Sequence, residues 1–124
     1  MRNVIFGGPD FPTPSNERRK FLLEKSAIDF FIKWDGEYAF VHLIKQLVEL
    51  ELDFNSLKKE RLKIPNVCYV DEVGEYVEGP DERLTDLMTV PSPYVTGLLD
   101  RFFETSLMPL VETTRGCPYG CTFC

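Results

Sequence analysis

The stretch Ile28-Asp29-Phe30-Phe31-Ile32 is a short apolar run that ends at Trp34-Asp35-Gly36, and directly after it the pattern changes to helical spacing. Four apolar side chains then recur at i, i+4, i+7 and i+8 and form one stripe along a helix: Phe40, Ile44, Leu47 and Val48. Glu37 lies in the first turn of this helix, where a carboxylate interacts favourably with the helix dipole. The stretch therefore predicts a strand that leads into an amphipathic helix.

A second strand–helix unit lies upstream. Val4-Ile5-Phe6 is apolar and is closed by Gly7-Gly8-Pro9, which fits a strand buried on both faces of a parallel sheet. After a proline-rich loop, a helix is predicted from about Glu17 to Lys25, with Phe21 and Leu22 on its buried side. The order strand, helix, strand, helix is typical of an α/β fold with a parallel sheet and crossover helices. Because two strands are too few for such a sheet, we expect its other strands to precede this chain.

Residues 53–105 are predicted to be a linker that contains a small hairpin. Val67-Cys68-Tyr69-Val70 and Glu75-Tyr76-Val77 are two strand candidates that flank a glycine-containing turn. From Gly79 to Pro93 the chain is rich in proline and acidic residues, and a short helix is predicted over Thr96–Phe103. This segment therefore connects the α/β unit to whatever follows it.

Composition and charge exclude several classes of function. The chain of 124 residues has 14 Lys+Arg against 20 Asp+Glu and a net charge of −6, which disfavours sequence-independent binding to nucleic acid. No apolar run approaches the roughly 20 residues of a membrane span, and no signal peptide opens the sequence. Three of the four cysteines crowd into the last eight residues, unlike a disulfide framework. We therefore expect a cytoplasmic protein with free or metal-bound thiols.

The cysteine cluster follows a third predicted strand, Leu107–Thr113. It reads Cys117-Pro118-Tyr119-Gly120-Cys121-Thr122-Phe123-Cys124, a C-x3-C-x2-C spacing. Three thiolates this close can hold one small metal centre from a single loop, and Gly116 and Gly120 supply the backbone freedom that such a loop needs. A 4Fe–4S cluster bound by three cysteines keeps one iron without a protein ligand, and an open coordination position is what a reactive site requires.

The spacing alone leaves other sites open. A zinc site would combine the three cysteines with His42 or Cys68, although structural zinc usually uses two C-x2-C pairs and this chain has one. A ferredoxin-type cluster would need C-x2-C-x2-C and a fourth cysteine. A chance cluster of exposed cysteines would be a redox liability. The spacing therefore favours an open iron–sulfur site, with a small zinc-binding or interaction domain as the alternative.

Arg115–Cys124 resembles the cluster loop of radical S-adenosylmethionine (SAM) enzymes. Three segments are similar to the approach to that loop in members with an N-terminal cobalamin-binding domain: Val90–Tyr94, Leu98–Asp100 and Pro109–Thr114. Gly7-Gly8-Pro9 and Asp35-Gly36-Glu37 resemble later loops of the cobalamin-binding domain. The resemblance covers most of the chain, and its cluster motif is far more specific than its glycine pair.

The resemblance implies a domain organisation. Residues 1–52 would be the C-terminal part of a Rossmann-like, cobalamin-binding-like domain, and residues 53–105 the linker. Residues 106–124 would contribute the first strand and the cluster loop of a truncated (βα) barrel. Such barrels take about 200 residues or more. We therefore expect an internal segment of a longer enzyme, inactive alone and prone to aggregate through its unpartnered apolar strands.

The resemblance also implies roles for matched positions. Cys117, Cys121 and Cys124 would each ligate one iron, with the amino and carboxylate groups of SAM on the fourth, and Phe123 would lie beside the adenine. The reduced cluster would cleave SAM to a 5′-deoxyadenosyl radical, which abstracts hydrogen from an unidentified substrate. The electron would come from a reductant such as flavodoxin or ferredoxin. Methyl transfer through cobalamin and rearrangement both remain open outcomes, and no catalytic side chain is assigned in this chain.

Cobalamin binding rests on fewer positions. Gly7, Gly8 and Glu37 are the candidate cofactor-binding residues, since a missing side chain lets a cofactor tail approach the backbone; an ordinary strand-to-loop turn is the alternative interpretation of the glycines. The histidine motif of the family, Asp-x-His-x-x-Gly, does not occur in this sequence, and its Gly-Glu-Gly-Glu loop is Trp34-Asp35-Gly36-Glu37 here. The single histidine, His42, is interpreted as a partly exposed helix residue and Cys68 as a small buried hydrophobe.

Overall fold

The computed structural model of the chain describes residues 3–104, 106, 108–111, 119 and 121–122. The chain divides into two compact units, Met1–Leu87 and Met88–Cys124.

The first unit is built on a mixed sheet, which has four strands among the described residues. The strands are β1 (Ile5–Gly7), β2 (Phe30–Ile32), β3 (Val67–Val70) and β4 (Tyr76–Glu78), in the order β1-β2-β3-β4. β1 and β2 are parallel, whereas β2–β3 and β3–β4 are antiparallel. The α/β class is thereby confirmed. The predicted parallel pairing of the two strands is present, and the sheet as a whole is mixed because the predicted hairpin joins β2 in antiparallel orientation.

Three helices cover this sheet: α1 (Ser15–Glu24), α2 (Gly36–Glu49) and α3 (Phe54–Lys59). Successive side chains of a strand point to opposite faces. Phe31 therefore lies in a cluster with Leu22 of α1, while Phe30 lies in a cluster with Leu43 of α2 and Leu57 of α3. α1 thus covers one face of the sheet, and α2 and α3 cover the other.

The two hydrophobic clusters differ in size. On the α2 side, the buried side chains are Phe30, Ile32, Ala39, Leu43, Leu47, Leu57, Ile64, Val67, Tyr69 and Val77. On the α1 side, Leu22, Phe31 and Cys68 are buried, and the ring of Phe11 stacks on Phe31 with 4.0 Å between centroids. The interpretation of Cys68 as a small buried hydrophobe is confirmed.

The apolar stripe of α2 is displaced from its predicted position. Phe40 and Val48 are 48% and 61% exposed, and the buried residues of the helix are Ala39, Leu43 and Leu47. The apolar arc of this helix is wide enough for two overlapping stripes. The stripe that contains the small Ala39 faces the sheet, where a small side chain permits close approach.

The predicted hairpin is present, and it continues the sheet. In its turn, the Asp71 carboxylate accepts hydrogen bonds from the backbone N–H groups of Val73 and Glu75, and Gly74 has a φ of 85°. Phe31 of β2 pairs with Cys68 of β3, which joins the hairpin to the α/β unit. The region predicted to be a linker therefore supplies two strands and α3.

The second unit contains a short helix, α4 (Asp100–Phe103), in its described part. A helix was predicted over Thr96–Phe103, but Gly97 adopts a φ of 74°, a left-handed conformation that a continuous helix does not allow. The hydroxyl of Tyr94 donates a hydrogen bond to the carbonyl of Leu110 at 2.6 Å. Of the third predicted strand, residues 108–111 are described and none is paired as a strand. None of the described helices is long and apolar enough to cross a membrane.

Candidate cofactor site at the carboxyl edge of the sheet

The carboxyl ends of β1 and β2 lie side by side, because the strands are parallel with Gly7 opposite Ile32. The chain leaves β1 toward α1 on one face of the sheet and leaves β2 toward α2 on the other. Loops that diverge in this way leave a crevice at the carboxyl edge, where α/β proteins bind ligands. The structure therefore brings the three predicted cofactor-binding positions Gly7, Gly8 and Glu37 to one edge.

The two glycines have different reasons to lack a side chain. A Cβ on Gly7 would lie 3.1 Å from the carbonyl oxygen of Ile32, so the missing side chain permits close pairing of the two strands. Gly8 has a φ of 130° and no neighbouring atom within 4 Å of where its Cβ would be. Gly8 therefore offers an open approach to the backbone, as a cofactor tail needs. Gly7 fits the alternative interpretation, an ordinary strand end.

Trp34 follows β2 with a φ of 58°, a left-handed conformation that costs a bulky residue about 1–2 kcal/mol. Its side chain is 49% exposed, and the guanidinium carbon of Arg83 lies 5.2 Å from the ring centroid. The sequence did not mark Trp34 as a site residue. The sequence does contain a signal for this position. In the Gly-Glu-Gly-Glu loop that residues 34–37 resemble, the first residue is glycine, the residue best suited to positive φ, and here it is tryptophan.

Residues 79–84, here named the strap, are hydrogen-bonded to a residue that follows β2 and to a residue that precedes β3. The buried Asp35 carboxylate accepts hydrogen bonds from Nε of Arg83 at 3.0 Å and from the backbone N–H of Leu84 at 2.9 Å. The side chain of Asn66 donates to the carbonyl of Glu82 and accepts from its N–H. The first part of the predicted proline-rich linker is thus an ordered part of the candidate site.

Gly79 begins the strap at a point of very close backbone contact. Its N–H donates to the carbonyl of Val67 at 3.0 Å. A Cβ at this position would lie only 1.7 Å from the carbonyl oxygen of Ile64. Only glycine can pass between these two backbone segments without displacing one of them.

A buried lysine lies on the α1 side of the sheet and pairs with one carboxylate of β4 and one of the strap. Lys33 is 4% exposed and forms ion pairs with Glu78 and Asp81. Burial by itself disfavours a charged Lys33, but hydrogen bonds to the two carboxylates outweigh it and raise the pKa of the ammonium. The hydrogen bond from Lys33 is also the largest cause that lowers the pKa of Asp81. These groups therefore hold the strap through charge as well as through backbone bonds.

The predicted iron ligands are described only in part. Cys121 is an exposed free cysteine, whereas Cys117, Cys124 and the adenine-contacting candidate Phe123 lie outside the described residues. Within the described ranges, no three His, Cys, Asp or Glu side chains come together as a metal site. His42 lies within α2 and is partly exposed, as interpreted from the sequence.

Fold and edge together define an α/β segment in which two parallel strands end side by side. No protein-family model matches the chain. It is 32% identical over 128 residues to the 2-(S-pantetheinyl)-carbapenam-3-carboxylate methyltransferase of Streptantibioticus cattleyicolor. It is 33% identical over 129 residues to the cobalamin-dependent radical SAM methyltransferase TokK of Streptomyces tokunonensis.

Each match covers 98% of this chain and 17% of the relative. The chain therefore spans less than a fifth of the length of the curated relatives it matches. Its resemblance to radical SAM enzymes with a cobalamin-binding domain is confirmed, since both relatives are methyltransferases and one of them is a cobalamin-dependent radical SAM enzyme.

Proposed function

We propose that the protein of which this chain is a segment is a radical SAM enzyme that methylates its substrate with the help of cobalamin. The observation that carries the proposal is the match of 98% of the chain to two methyltransferases, one of them a cobalamin-dependent radical SAM enzyme. The C-x3-C-x2-C spacing supports it, since three thiolates leave a 4Fe–4S cluster with one open iron. Methyl transfer is therefore preferred to rearrangement.

In this proposal Cys117, Cys121 and Cys124 hold the cluster as thiolates, and Phe123 contacts the adenine of SAM. A cluster bound by these residues would provide the electron for cleavage of SAM after its reduction by a flavodoxin or ferredoxin. The exposure of Cys121 fits the assembly of a cluster at a loop. The donor set suits iron, because thiolates are the usual protein ligands of such clusters.

The carboxyl edge of β1 and β2 is the proposed cobalamin contact. Bound cobalamin would carry the methyl group toward the substrate. Gly8 presents open backbone to the cofactor, and Glu37 lies in the first turn of α2 at the same edge. Gly7 supports the pairing of β1 with β2 beneath them. The proposed organisation remains a cobalamin-binding-like part (1–52), a connecting part (53–105) and the start of the radical SAM domain (106–124).

The test is anaerobic reconstitution of the full-length protein with iron and sulfide. We expect about four irons per chain and formation of 5′-deoxyadenosine from SAM once a reductant is added. Each of the variants Cys117→Ala, Cys121→Ala and Cys124→Ala should lose most of the iron and all of the 5′-deoxyadenosine. Cys68→Ala is the matched control and should keep both, because Cys68 is buried in the sheet.

Two results would overturn the proposal. Zinc in place of iron, with no brown colour after reconstitution, would favour the zinc-binding alternative. Iron content that is unchanged in all three cysteine variants would remove the proposed ligands. Methyl transfer itself is tested with methyl-deuterated SAM, which should label the product only when cobalamin is supplied.

A further inference from the structure

Trp34 is held in its strained conformation from two sides. The Arg83 guanidinium lies over the indole, and Asp81 accepts a hydrogen bond from the side chain of Trp34. Arg83 is in turn fixed by the buried carboxylate of Asp35 at 3.0 Å. A non-glycine residue in the left-handed region persists only where its surroundings determine it, and such residues cluster at ligand sites.

Part of the indole remains exposed. Arg83 covers the ring from one direction, yet about half of the Trp34 side chain is exposed. Trp34 follows the end of β2, and Gly8 follows the end of the neighbouring parallel strand. Since Gly8 has no side chain and no atom within 4 Å of where its Cβ would be, a flat group could approach the edge beyond the paired strand ends and meet the exposed indole.

We infer that Trp34 is a stacking residue for a planar aromatic base, which within the proposed function is the base of the nucleotide tail of cobalamin. Aromatic side chains bind bases face to face, and a cation over the far side of the ring adds to the attraction. Arg83 and Asp81 act as positioning residues that hold the indole in place. The inference rests on the proposed function, since without cobalamin the base that stacks on Trp34 would be the adenine of SAM.

The test compares ligand binding by the full-length protein and by Trp34→Gly. Glycine adopts a φ of 58° without strain, so this change removes the ring and keeps the backbone. We expect the Kd for hydroxocobalamin to rise about 10- to 100-fold, the range for loss of one stacked base. The Kd for cobinamide, which lacks the nucleotide tail, should stay within about twofold, as should that for SAM.

Two further variants sharpen the comparison. Trp34→Phe keeps an aromatic ring and should retain most of the affinity for hydroxocobalamin. Phe40→Ala removes an exposed aromatic side chain from the nearby helix α2 and should change no Kd. Reductive cleavage of SAM to 5′-deoxyadenosine should stay unchanged in Phe40→Ala, and the Kd for SAM reports separately whether a Trp34 variant disturbs the site of cluster chemistry.

Other outcomes overturn the inference in distinct ways. Equal hydroxocobalamin affinity in the wild type and Trp34→Gly would overturn the stacking role alone. An equal loss of cobinamide affinity would overturn the assignment to the nucleotide base, and a loss confined to SAM would overturn the assignment to cobalamin. A wild-type protein that binds SAM but no cobalamin would overturn both this inference and the cobalamin half of the proposed function.

Discussion

Arg18 of α1 and Glu78 of β4 lie 60 positions apart in the sequence and form an ion pair at 2.5 Å between Nη1 and Oε1. The same carboxylate pairs with Lys33, which directly follows β2. Arg18 also donates hydrogen bonds to the carbonyls of Pro12 and Thr13. The Glu78 carboxylate therefore links α1, the residue after β2 and the strand β4. These contacts stabilise the part of the sheet next to the candidate site.

Replacing this carboxylate with an amide should be costly. Glu78→Gln keeps the size of the side chain but leaves Arg18 and Lys33, both nearly buried, with less negative charge to balance them. We expect a loss of about 2–3 kcal/mol in the free energy of unfolding, less than for a fully buried pair because Asp81 still pairs with Lys33. Urea unfolding followed by circular dichroism measures it. Glu75→Gln, in an exposed pair with Arg19, should cost under about 0.5 kcal/mol, and an equal loss in both variants would contradict the burial argument.

Gly79→Ala should be among the most destabilising single-methyl changes in the chain. The added Cβ would meet the carbonyl of Ile64 at 1.7 Å, and since both partners are backbone, no rotamer change relieves the contact. We expect a loss of about 3 kcal/mol or more, at the upper end for overpacking. The matched control is Gly36→Ala, whose Cβ would make an ordinary 3.7 Å contact with Ile32. Thermal unfolding of the two variants should differ clearly, and similar Tm values would show that the strap does not pass so close to Ile64.

The attachment of the strap can be tested by proteolysis. Asp35→Ala removes the acceptor for both the Arg83 side chain and the Leu84 N–H. The bond after Arg83 should then be cut by trypsin at least about tenfold faster, because cleavage follows the population of the opened segment. Mass spectrometry of timed digests identifies the cut. Asp53→Ala, which removes a cap from α3 instead, should leave the rate at Arg83 unchanged. An unchanged rate in Asp35→Ala would mean that Asp35 does not hold the strap.

Local patterns predicted the elements of this fold better than their assembly. The runs at β1 and β2 and the turn between β3 and β4 are short-range signals, and each marked a real strand or hairpin. The pairing of Phe31 with Cys68 joins residues far apart in sequence, and no local pattern reports it. The sequence therefore predicted a hairpin but not that the hairpin would extend the sheet.

The sequence likewise indicated those positions of the candidate site that follow local patterns, and missed those that depend on long-range contacts. Glycines at strand ends and a carboxylate in a helix turn are visible in sequence, and the structure brings them to one edge. Proline and acidic residues made the strap look like a linker, since composition does not show that Asp35 and Asn66 hold it. The positive φ of Trp34 is likewise set by tertiary contacts. For Cys117, Cys121, Cys124 and Phe123 the roles remain predictions from the sequence.

Cys68 gives the chain a pH dependence whose sign can be derived. Burial raises the pKa of its thiol from 9.0 to about 11. Between these values the folded chain keeps a proton that the unfolded chain releases, so rising pH favours unfolding over this range. The free energy of unfolding should fall by about 2 kcal/mol from pH 9 to 11, and Cys68→Ala, although less stable throughout, should show a smaller fall. Parallel slopes in the two proteins would refute the assignment.

At pH 8, iodoacetamide should label the exposed Cys121 rapidly and Cys68 only after urea is added, because a buried, protonated thiol is a poor nucleophile.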